Sequence, residues 1–205
     1  MFNWLIDIIF PLRGDEALVR EVTLDAYLSR LEPQIEERTT PPTVALLPFA
    51  DRVIRASLHE AKYHGNEKAF ALLAAALTEY LRTDDRFDGL KNMVLVPLPL
   101  GRARRRERGF NQSEEVARRV SRELGVALAP SLIARTRETL SQVSLPRHER
   151  IKNMRSAFMA PYQPDPETTY LLLDDVITTG ATLSAAIDAL KRAGARNILP
   201  IALAH

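Results

Sequence analysis

Hydrophobic and polar positions along the chain follow two patterns, one typical of helices and one typical of buried strands. The segment ATLSAAIDALKRAGA is amphipathic at helical spacing and predicts a helix that ends near Gly194. Residues His64, Gly65 and Asn66 separate two other helical segments. The remaining predicted helices span residues 15–35, 52–63, 67–81 and 112–124.

Four short runs are almost continuously apolar: residues 93–96, 132–134, 170–173 and 197–203. Runs of this kind are expected of strands that are buried on both faces of a parallel sheet. The strands alternate with helices, which favours an α/β fold with a central, mainly parallel sheet flanked by helices.

The sequence TTPP within residues 38–42 indicates a linker. We therefore predict an apolar and helical N-terminal extension, residues 1–42, and a main domain, residues 43–205. The initial FNWLIDIIF has nine residues, carries Asp7 and lacks a basic flank and a cleavage site, so we expect it to pack on the domain or on a partner chain rather than to act as a signal peptide or membrane span.

The string TTYLLLDDVITTGATL, residues 168–183, predicts a strand that runs into Asp174 and Asp175 and then into a small-residue turn. Gly180 would let the backbone approach a ligand, and N–H groups at the start of the next helix would bind a phosphate dianion. The two carboxylates suit ribose hydroxyls or Mg²⁺. The predicted phosphate-binding residues are Val176, Ile177, Thr178, Thr179, Gly180, Ala181, Thr182 and Leu183.

A second candidate site follows the apolar run NMVLVPLPL, where five arginines lie between Arg102 and Arg108. Residues 102–155 hold 14 basic and 6 acidic residues, net +8, whereas the whole chain has a net charge of +2. This asymmetry indicates either a polyanionic small molecule or a nucleic acid as ligand. Three further arginines, Arg118, Arg119 and Arg122, are expected on the solvated face of a helix.

The acidic strand end with its TTGAT turn resembles the phosphoribosyl pyrophosphate (PRPP) signature of type I phosphoribosyltransferases. The blocks VPLPL, RGFNQSE, TLSQVSLPRHERIKNMRSAF and LHEAKYHG, together with the basic run, resemble the ComF family, including its GntX-type members. This resemblance covers residues 56–204 and implies the type I phosphoribosyltransferase fold with a small helical N-terminal addition.

The resemblance also implies a function and a site. Asp174 and Asp175 would be the catalytic pair that holds the ribose and places Mg²⁺, directly or through water. PRPP would transfer its phosphoribosyl group to an unidentified acceptor and release pyrophosphate. The pyrophosphate would bind to Leu98, Pro99, Leu100, Gly101 and Arg102. Residues 135–155 would form a flexible loop that closes over the site, with contacts from Gln142, Arg147 and Arg150.

Two features depart from the family pattern. Members commonly carry an N-terminal zinc module with paired cysteines, but this chain has no cysteine, so a Cys-type zinc site is excluded. Members also tend to have a histidine at the position of Gly101, which predicts altered pyrophosphate handling.

A rival interpretation is a non-catalytic protein that binds PRPP or a nucleotide in DNA uptake or regulation. Its arginine run would contact single-stranded DNA, and a competence helicase would be a candidate partner. Under both interpretations we expect a cytoplasmic protein with no membrane partner, and a homodimer is a candidate assembly.

Other chemistries have no support in the sequence. The motifs G-x-G-x-x-G, G-x-x-x-x-G-K-[ST] and G-x-S-x-G are absent, which argues against Rossmann, P-loop and serine hydrolase sites. His59 and His64 are five residues apart, unlike the two histidines of H-E-x-x-H, so the spacing does not favour a metal role for them.

Overall fold

The computed structural model describes residues 14–87, 92–136 and 157–205. In chain order the elements are α1 (Gly14–Glu21), α2 (Leu24–Leu28), β1 (Gln34–Glu36), β2 (Thr43–Leu47), α3 (Arg52–His64), α4 (Glu67–Thr83), a 3₁₀ turn (Asp85–Phe87), β3 (Met93–Pro97), α5 (Arg102–Arg108), α6 (Gln112–Leu124), β4 (Ala127–Leu128), β5 (Ala134–Arg135), β6 (Phe158–Met159), β7 (Thr169–Val176), α7 (Ala181–Ala193) and β8 (Asn197–Ala204).

Six strands form the central sheet in the order β1-β2-β8-β7-β3-β4. All neighbouring strands are parallel except β1 and β2, which are antiparallel. Strands β5 and β6 pair separately as a short antiparallel ribbon. The predicted α/β class with a mainly parallel sheet is therefore confirmed.

Strand β7 has buried side chains on both of its faces, because successive residues of a strand point to opposite sides of the sheet. Leu171 and Leu173 belong to a core cluster with side chains from α1 to α4 and α6. Tyr170 and Leu172 belong to a second cluster, which is built mainly on α7. The two clusters explain why the strand reads as a continuous apolar run.

The predicted helix over residues 15–35 is wrong. Helix α1 ends at Glu21, and Thr23 starts the separate helix α2 because its hydroxyl accepts a hydrogen bond from the N–H of Ala26 at 3.3 Å. The N–H of Glu32 then donates to the carbonyl of Leu46 at 2.9 Å, which draws the chain to the sheet edge as β1. Local periodicity could not reveal this long-range pairing.

Strand β2, which follows the predicted linker directly, was not among the predicted strands. It pairs with β1 on one side and with β8 on the other. Val19 and Tyr27, from α1 and α2, are buried in the main core. These contacts cross the boundary drawn at residue 42, and the division into two parts stays a prediction.

The predicted helices over residues 52–63, 67–81 and 112–124 are confirmed as α3, α4 and α6. The side chains of Asp51 and Asn66 cap α3 and α4 by accepting N–H hydrogen bonds. Residues Arg102–Arg108 form α5, which was not among the predicted helices, since arginine is a good helix former and Gly109 provides the left-handed end at φ 79°. Within the described ranges, no helix is long and apolar enough to cross a membrane.

Candidate functional site

The candidate site lies at the carboxyl ends of the adjacent parallel strands β3 and β7. Pro97 is level with Leu173 in the sheet, and the N–H of Leu98 donates to the carbonyl of Leu173 at 2.8 Å. The segment 98–101 therefore leaves the sheet beside Asp174 and Asp175. Carboxyl ends of parallel strands are the usual place for ligands in open α/β sheets.

Asp174 and Asp175 belong to β7 itself, because the strand continues to Val176 rather than ending before the acids. The alternation of the strand sends their side chains to opposite faces of the sheet. Asp174 lines a pocket with the turn that precedes α7. Asp175 faces α3 and α6, where it finds protein partners.

The carboxylate of Asp175 is fixed by three donors. Its Oδ2 lies 2.9 Å from Nζ of Lys62 and accepts a hydrogen bond from Nε2 of Gln112 at 2.7 Å. Its Oδ1 accepts the N–H of Val176 at 2.8 Å. Burial acts to raise the pKa of Asp175, but the charge of Lys62 and the hydrogen bonds from Lys62 and Gln112 outweigh it and hold that pKa below its ordinary value.

Asp174 has the opposite electrostatic character. Burial, together with the nearby negative charge of Asp175, raises the pKa of Asp174 to about 7, although its carboxylate accepts the N–H of Asp175 at 2.9 Å. Asp174 therefore holds a proton more readily than an ordinary carboxyl group. A bound cation or hydroxyl donor would stabilise its ionised form.

The turn between β7 and α7 forms a small, open pocket with a volume of about 20 Å³, lined by Asp174 and residues 176–183. The N–H of Ile177 donates to the carbonyl of Ala204 at 2.9 Å, which fixes the start of the turn on β8. Thr178 and Thr179 are exposed, and α7 begins at Ala181 without a side-chain cap. Because first-turn N–H groups of a helix lack partners within the helix, this pocket suits an anion.

Gly180 is required by a close protein contact rather than by a ligand alone. Its φ is +72°, and a Cβ atom there would lie 2.9 Å from Cβ and 3.0 Å from the carbonyl oxygen of Arg38. Arg38 in turn donates to the carbonyl of Thr178 and pairs with Glu36 at 3.0 Å. The predicted linker therefore supports the turn before α7, which was predicted to bind phosphate.

Helix α5 carries the arginine run on the surface of the protein. None of its residues is buried, and Arg105 pairs with Glu114 at 3.1 Å. Arg108 is the member that turns toward the site: its Nη1 donates to Oε1 of Gln112 at 3.1 Å, and its guanidinium lies 5.0 Å from the ring centre of Tyr63. The residues exposed along α5 include Arg102, Arg104, Arg105 and Arg106.

The three arginines of α6 differ from one another. Arg118 and Arg122 are exposed, as expected of a solvated helix face. Arg119 is only 19% exposed, because it lies over the ring of Phe70 at 5.0 Å and pairs with Glu67. Arg119 therefore joins α6 to α4 and has a packing role.

Sequence reasoning assigned no role to several residues that shape the site. Besides Lys62 and Gln112, Nδ2 of Asn111 donates to the carbonyl of Leu98 at 2.9 Å and is buried. The signals were the blocks LHEAKYHG and RGFNQSE, which carried the family resemblance. Arg135 lies beside Gly101, since a Cβ atom on Gly101 would be 3.8 Å from Nε of Arg135.

The predicted loop contacts Gln142, Arg147 and Arg150 lie outside the described residues. Their assignment to a closing loop stays a prediction.

Taken together, the fold and the site define an α/β protein with an acidic strand end and a small-residue turn at the carboxyl edge of a parallel sheet. No family profile matches the chain. The chain is 32% identical over 190 residues to the DNA utilization protein YhgH of Escherichia coli O157:H7, covering 91% of this chain and 83% of the relative.

The chain is also 31% identical over 161 residues to the DNA utilization protein YhgH of Salmonella typhimurium, covering 77% of this chain and 70% of the relative. Competence protein F of Haemophilus influenzae is 31% identical over 107 residues, which is 51% of this chain and 47% of that protein. The chain therefore belongs to the ComF family, as the sequence blocks predicted.

The role of Gly180 can be tested against a glycine that has the same backbone strain but no close neighbour. Gly109 has φ +79° and open space around its missing side chain. We expect Gly180→Ala to lower the free energy of unfolding by about 1–3 kcal/mol more than Gly109→Ala, because only the former forces Arg38 away. Urea denaturation measures both, and equal losses would contradict the proposed contact.

The raised pKa of Asp174 predicts a pH-dependent stability. The pKa rises from 3.8 to about 7 on folding, so the folded state holds more protons in this window and its stability falls as pH rises through about 7. The loss begins near the unfolded pKa and is complete above the folded one, so we expect Asp174→Asn to gain about 1–3 kcal/mol of stability relative to the parent between pH 5 and pH 8.

Thermal unfolding at the two pH values provides the measurement, and Asp175→Asn is the contrast. That change leaves Lys62 without its carboxylate, so we expect it to destabilise the protein at pH 8. A stability difference between the parent and Asp174→Asn that is the same at both pH values would show that Asp174 carries no buried charge.

Proposed function

We propose that this chain binds PRPP on a type I phosphoribosyltransferase fold and transfers the phosphoribosyl group to an unidentified acceptor, with release of pyrophosphate. The observation that carries this proposal is the meeting of two segments at one sheet edge. The turn of residues 176–183 offers an anion pocket, and the segment that starts at Leu98 leaves the neighbouring strand beside it.

The parts of PRPP match the parts of this site. The 5′-phosphate binds the turn before α7, where helix N–H groups and the hydroxyls of Thr178, Thr179 and Thr182 are available. The ribose hydroxyls donate to the acids, and Asp174 is the better acceptor because Asp175 already holds Lys62 and Gln112. The pyrophosphate lies over residues 98–102.

Arg135 strengthens the proposed pyrophosphate subsite. Gly101 has no side chain to offer, but the side chain of Arg135 approaches it closely and lies 5.4 Å from the ring centre of Phe158. Guanidinium groups make bidentate, permanently charged contacts with phosphate oxygens. An arginine from β5 would thus supply charge at the position where family members tend to have a histidine.

The acids also fit Mg²⁺, although unequally. Carboxylate oxygens are preferred ligands of Mg²⁺, and ionisation of Asp174 near neutral pH gives the ion a negative partner that faces the pocket. Asp175 is already neutralised by Lys62, so Asp174 is the residue that would hold the ion, directly or through water. When bound, Mg²⁺ would offset part of the negative charge of the leaving pyrophosphate.

In this reaction the protein mainly positions the reactants and stabilises the charges that develop on them. The bond from the anomeric carbon to the pyrophosphate oxygen breaks, a bond to the acceptor forms, and the acceptor loses a proton. Positive charge at the ribose is stabilised by the acids, and negative charge on the leaving group is stabilised by arginines. No covalent nucleophile is needed.

A second candidate function is that of a non-catalytic protein that binds PRPP or a nucleotide and contacts single-stranded DNA, and the surface of α5 favours it. Four exposed arginines on one short helix form a basic surface of the kind that tracks a nucleic acid backbone. The relatives are named for DNA utilization and competence. We propose that this chain acts in the same area, whether or not it retains transferase activity.

Calorimetry with PRPP and Mg²⁺, followed by a pyrophosphate-release assay over bases and amines, separates the two functions. Binding with release supports the transferase. Binding without release from any acceptor supports the non-catalytic protein, and no binding of PRPP at all would refute both PRPP proposals.

Asp174→Asn should weaken PRPP binding in the presence of Mg²⁺ by about tenfold or more, because it removes a charged acceptor from the pocket. Asp188→Asn, on α7, makes the same chemical change outside the pocket lining and should leave the affinity unchanged. Calorimetry on both folded variants gives the result. Equal affinity of the two variants would remove Asp174 from the site.

The combined change Arg104→Ala, Arg105→Ala and Arg106→Ala distinguishes the two ligands of the basic run. For a pyrophosphate role, affinity for PRPP should fall by about tenfold or more, and affinity for ribose 5-phosphate should change little. For a DNA role, single-stranded DNA binding should collapse, and the salt dependence of the remaining binding should be shallower.

A matched control removes three exposed arginines elsewhere: Arg52→Ala, Arg55→Ala and Arg196→Ala. The control lowers net charge by the same amount. If both triple variants lose the same affinity for DNA, the effect comes from net charge and α5 has no specific role.

A further inference from the structure

The C-terminal end of α3 gathers metal-ligating side chains away from the acidic pocket. His59, Glu60 and His64 each offer one ligand atom, and these atoms lie within 4.8 Å of one another. The two imidazole rings have centroids 5.6 Å apart. Within the described part of the chain, this is a set of nitrogen and oxygen donors on a single helix end.

Sequence spacing argued against this cluster, because residues five apart in a regular helix point about 140° away from each other. The end of the helix changes the geometry. His64 is the last residue of α3, and Gly65 follows in the left-handed conformation at φ 59°. The ring of His64 lies beside the ring of His59 and beside the carboxylate of Glu60. Its Nε2 is 3.9 Å from Oε1 of Glu60.

Second partners orient two of the three ligands. Nδ1 of His59 lies 3.1 Å from Oδ2 of Asp15 on α1, which leaves Nε2 of that ring to bind a metal. Nδ2 of Asn66 donates to Oε2 of Glu60 at 3.3 Å, which leaves Oε1 facing His64. In metal sites, a ligand histidine usually donates its second ring N–H to a carboxylate, and a ligand carboxylate usually accepts a hydrogen bond in turn.

Charge also fits a dication. Glu60 is fully buried, and a buried carboxylate is costly unless positive charge or hydrogen bonds compensate it. Glu60 and Asp15 together would balance two positive charges. His59 and His64 are partly exposed, with side chains 46% and 30% accessible, so a metal can enter from solvent and the rings have room to close on it.

We propose that His59, Glu60 and His64 bind one divalent transition-metal ion of the zinc class, with Asp15 as the partner that orients His59. Two imidazoles and one carboxylate favour such an ion over Mg²⁺ or Ca²⁺, which prefer oxygen ligands alone. The fourth position is open to water. Since Asp15 belongs to α1 and the ligands to α3, the ion fastens these two helices together.

This site is independent of the proposed PRPP pocket. It uses none of the residues that line that pocket, and Lys62, which lies between the ligands in sequence, points to Asp175. The proposed zinc site can therefore be tested independently of the proposed phosphoribosyl transfer.

The test is calorimetric titration of tag-free, chelator-treated full-length protein with Zn²⁺ in the presence of excess Mg²⁺. We expect one ion per chain, and a rise in Tm of about 5–10 °C at a free Zn²⁺ concentration near 100 Kd. His64→Ala and His59→Ala should each weaken binding by about 100-fold or more, and Asp15→Asn by about 10- to 100-fold.

Three comparisons make the result decisive. Asp174→Asn and His205→Ala should bind Zn²⁺ like the parent, because they remove an acid and a histidine from other places. Co²⁺ in place of Zn²⁺ should give visible absorption bands that disappear in His64→Ala. The proposal is overturned if the parent does not bind Zn²⁺. It is also overturned if His59→Ala and His64→Ala each bind Zn²⁺ as tightly as the parent does.

Discussion

Asp175 links the parts of the structure on which the site depends. Its carboxylate is the meeting point of β7, of α3 through Lys62 and of α6 through Gln112. These three elements are distant in the sequence, and the contact fixes their relative positions at the edge where β3 also ends. Removing one partner would leave a buried charge without compensation, which is far more costly than the pair is stabilising.

Successive residues of a strand point to opposite faces of the sheet, so the two neighbouring acids have different surroundings and different pKa values. Asp175 faces a lysine and keeps its charge, whereas Asp174 faces the small pocket and carries a pKa of about 7. The first acid is held by protein partners, and the second lines the pocket before α7. Perturbed carboxylates in a cleft are common at functional sites, and here the causes are burial and the negative charge of Asp175.

Much of this arrangement could be predicted from local sequence. Helical periodicity predicted α3, α4, α6 and α7, and side-chain caps or terminal glycines mark their ends. Short apolar runs predicted β3, β7 and β8. Residues 15–35 could not be predicted, since β1 exists only through pairing with β2. The position of the two acids at the carboxyl end of β7 followed from the sequence, but the contacts of Lys62 and Gln112 with Asp175 are tertiary, and the sequence blocks that contain these two residues do not show what they contact. His59 and His64 show the same limit, because a helix end can join residues that a regular helix separates.

The exposed arginines of α5 and the pocket before α7 together determine which ligands the site can bind. Three of the cations near the acids are already engaged: Lys62 with Asp175, Arg38 with Glu36 and Thr178, and Arg108 with Gln112. A ligand that carries several negative charges therefore needs further cations, and the exposed arginines of α5 and the side chain of Arg135 beside Gly101 are candidates for this role. A pyrophosphate would have to draw these arginines inward from solvent, whereas a nucleic acid backbone could lie on α5 as it stands. The same surface thus supports both ligands, and what decides between them is whether the arginines move toward Asp174 or stay on the outside.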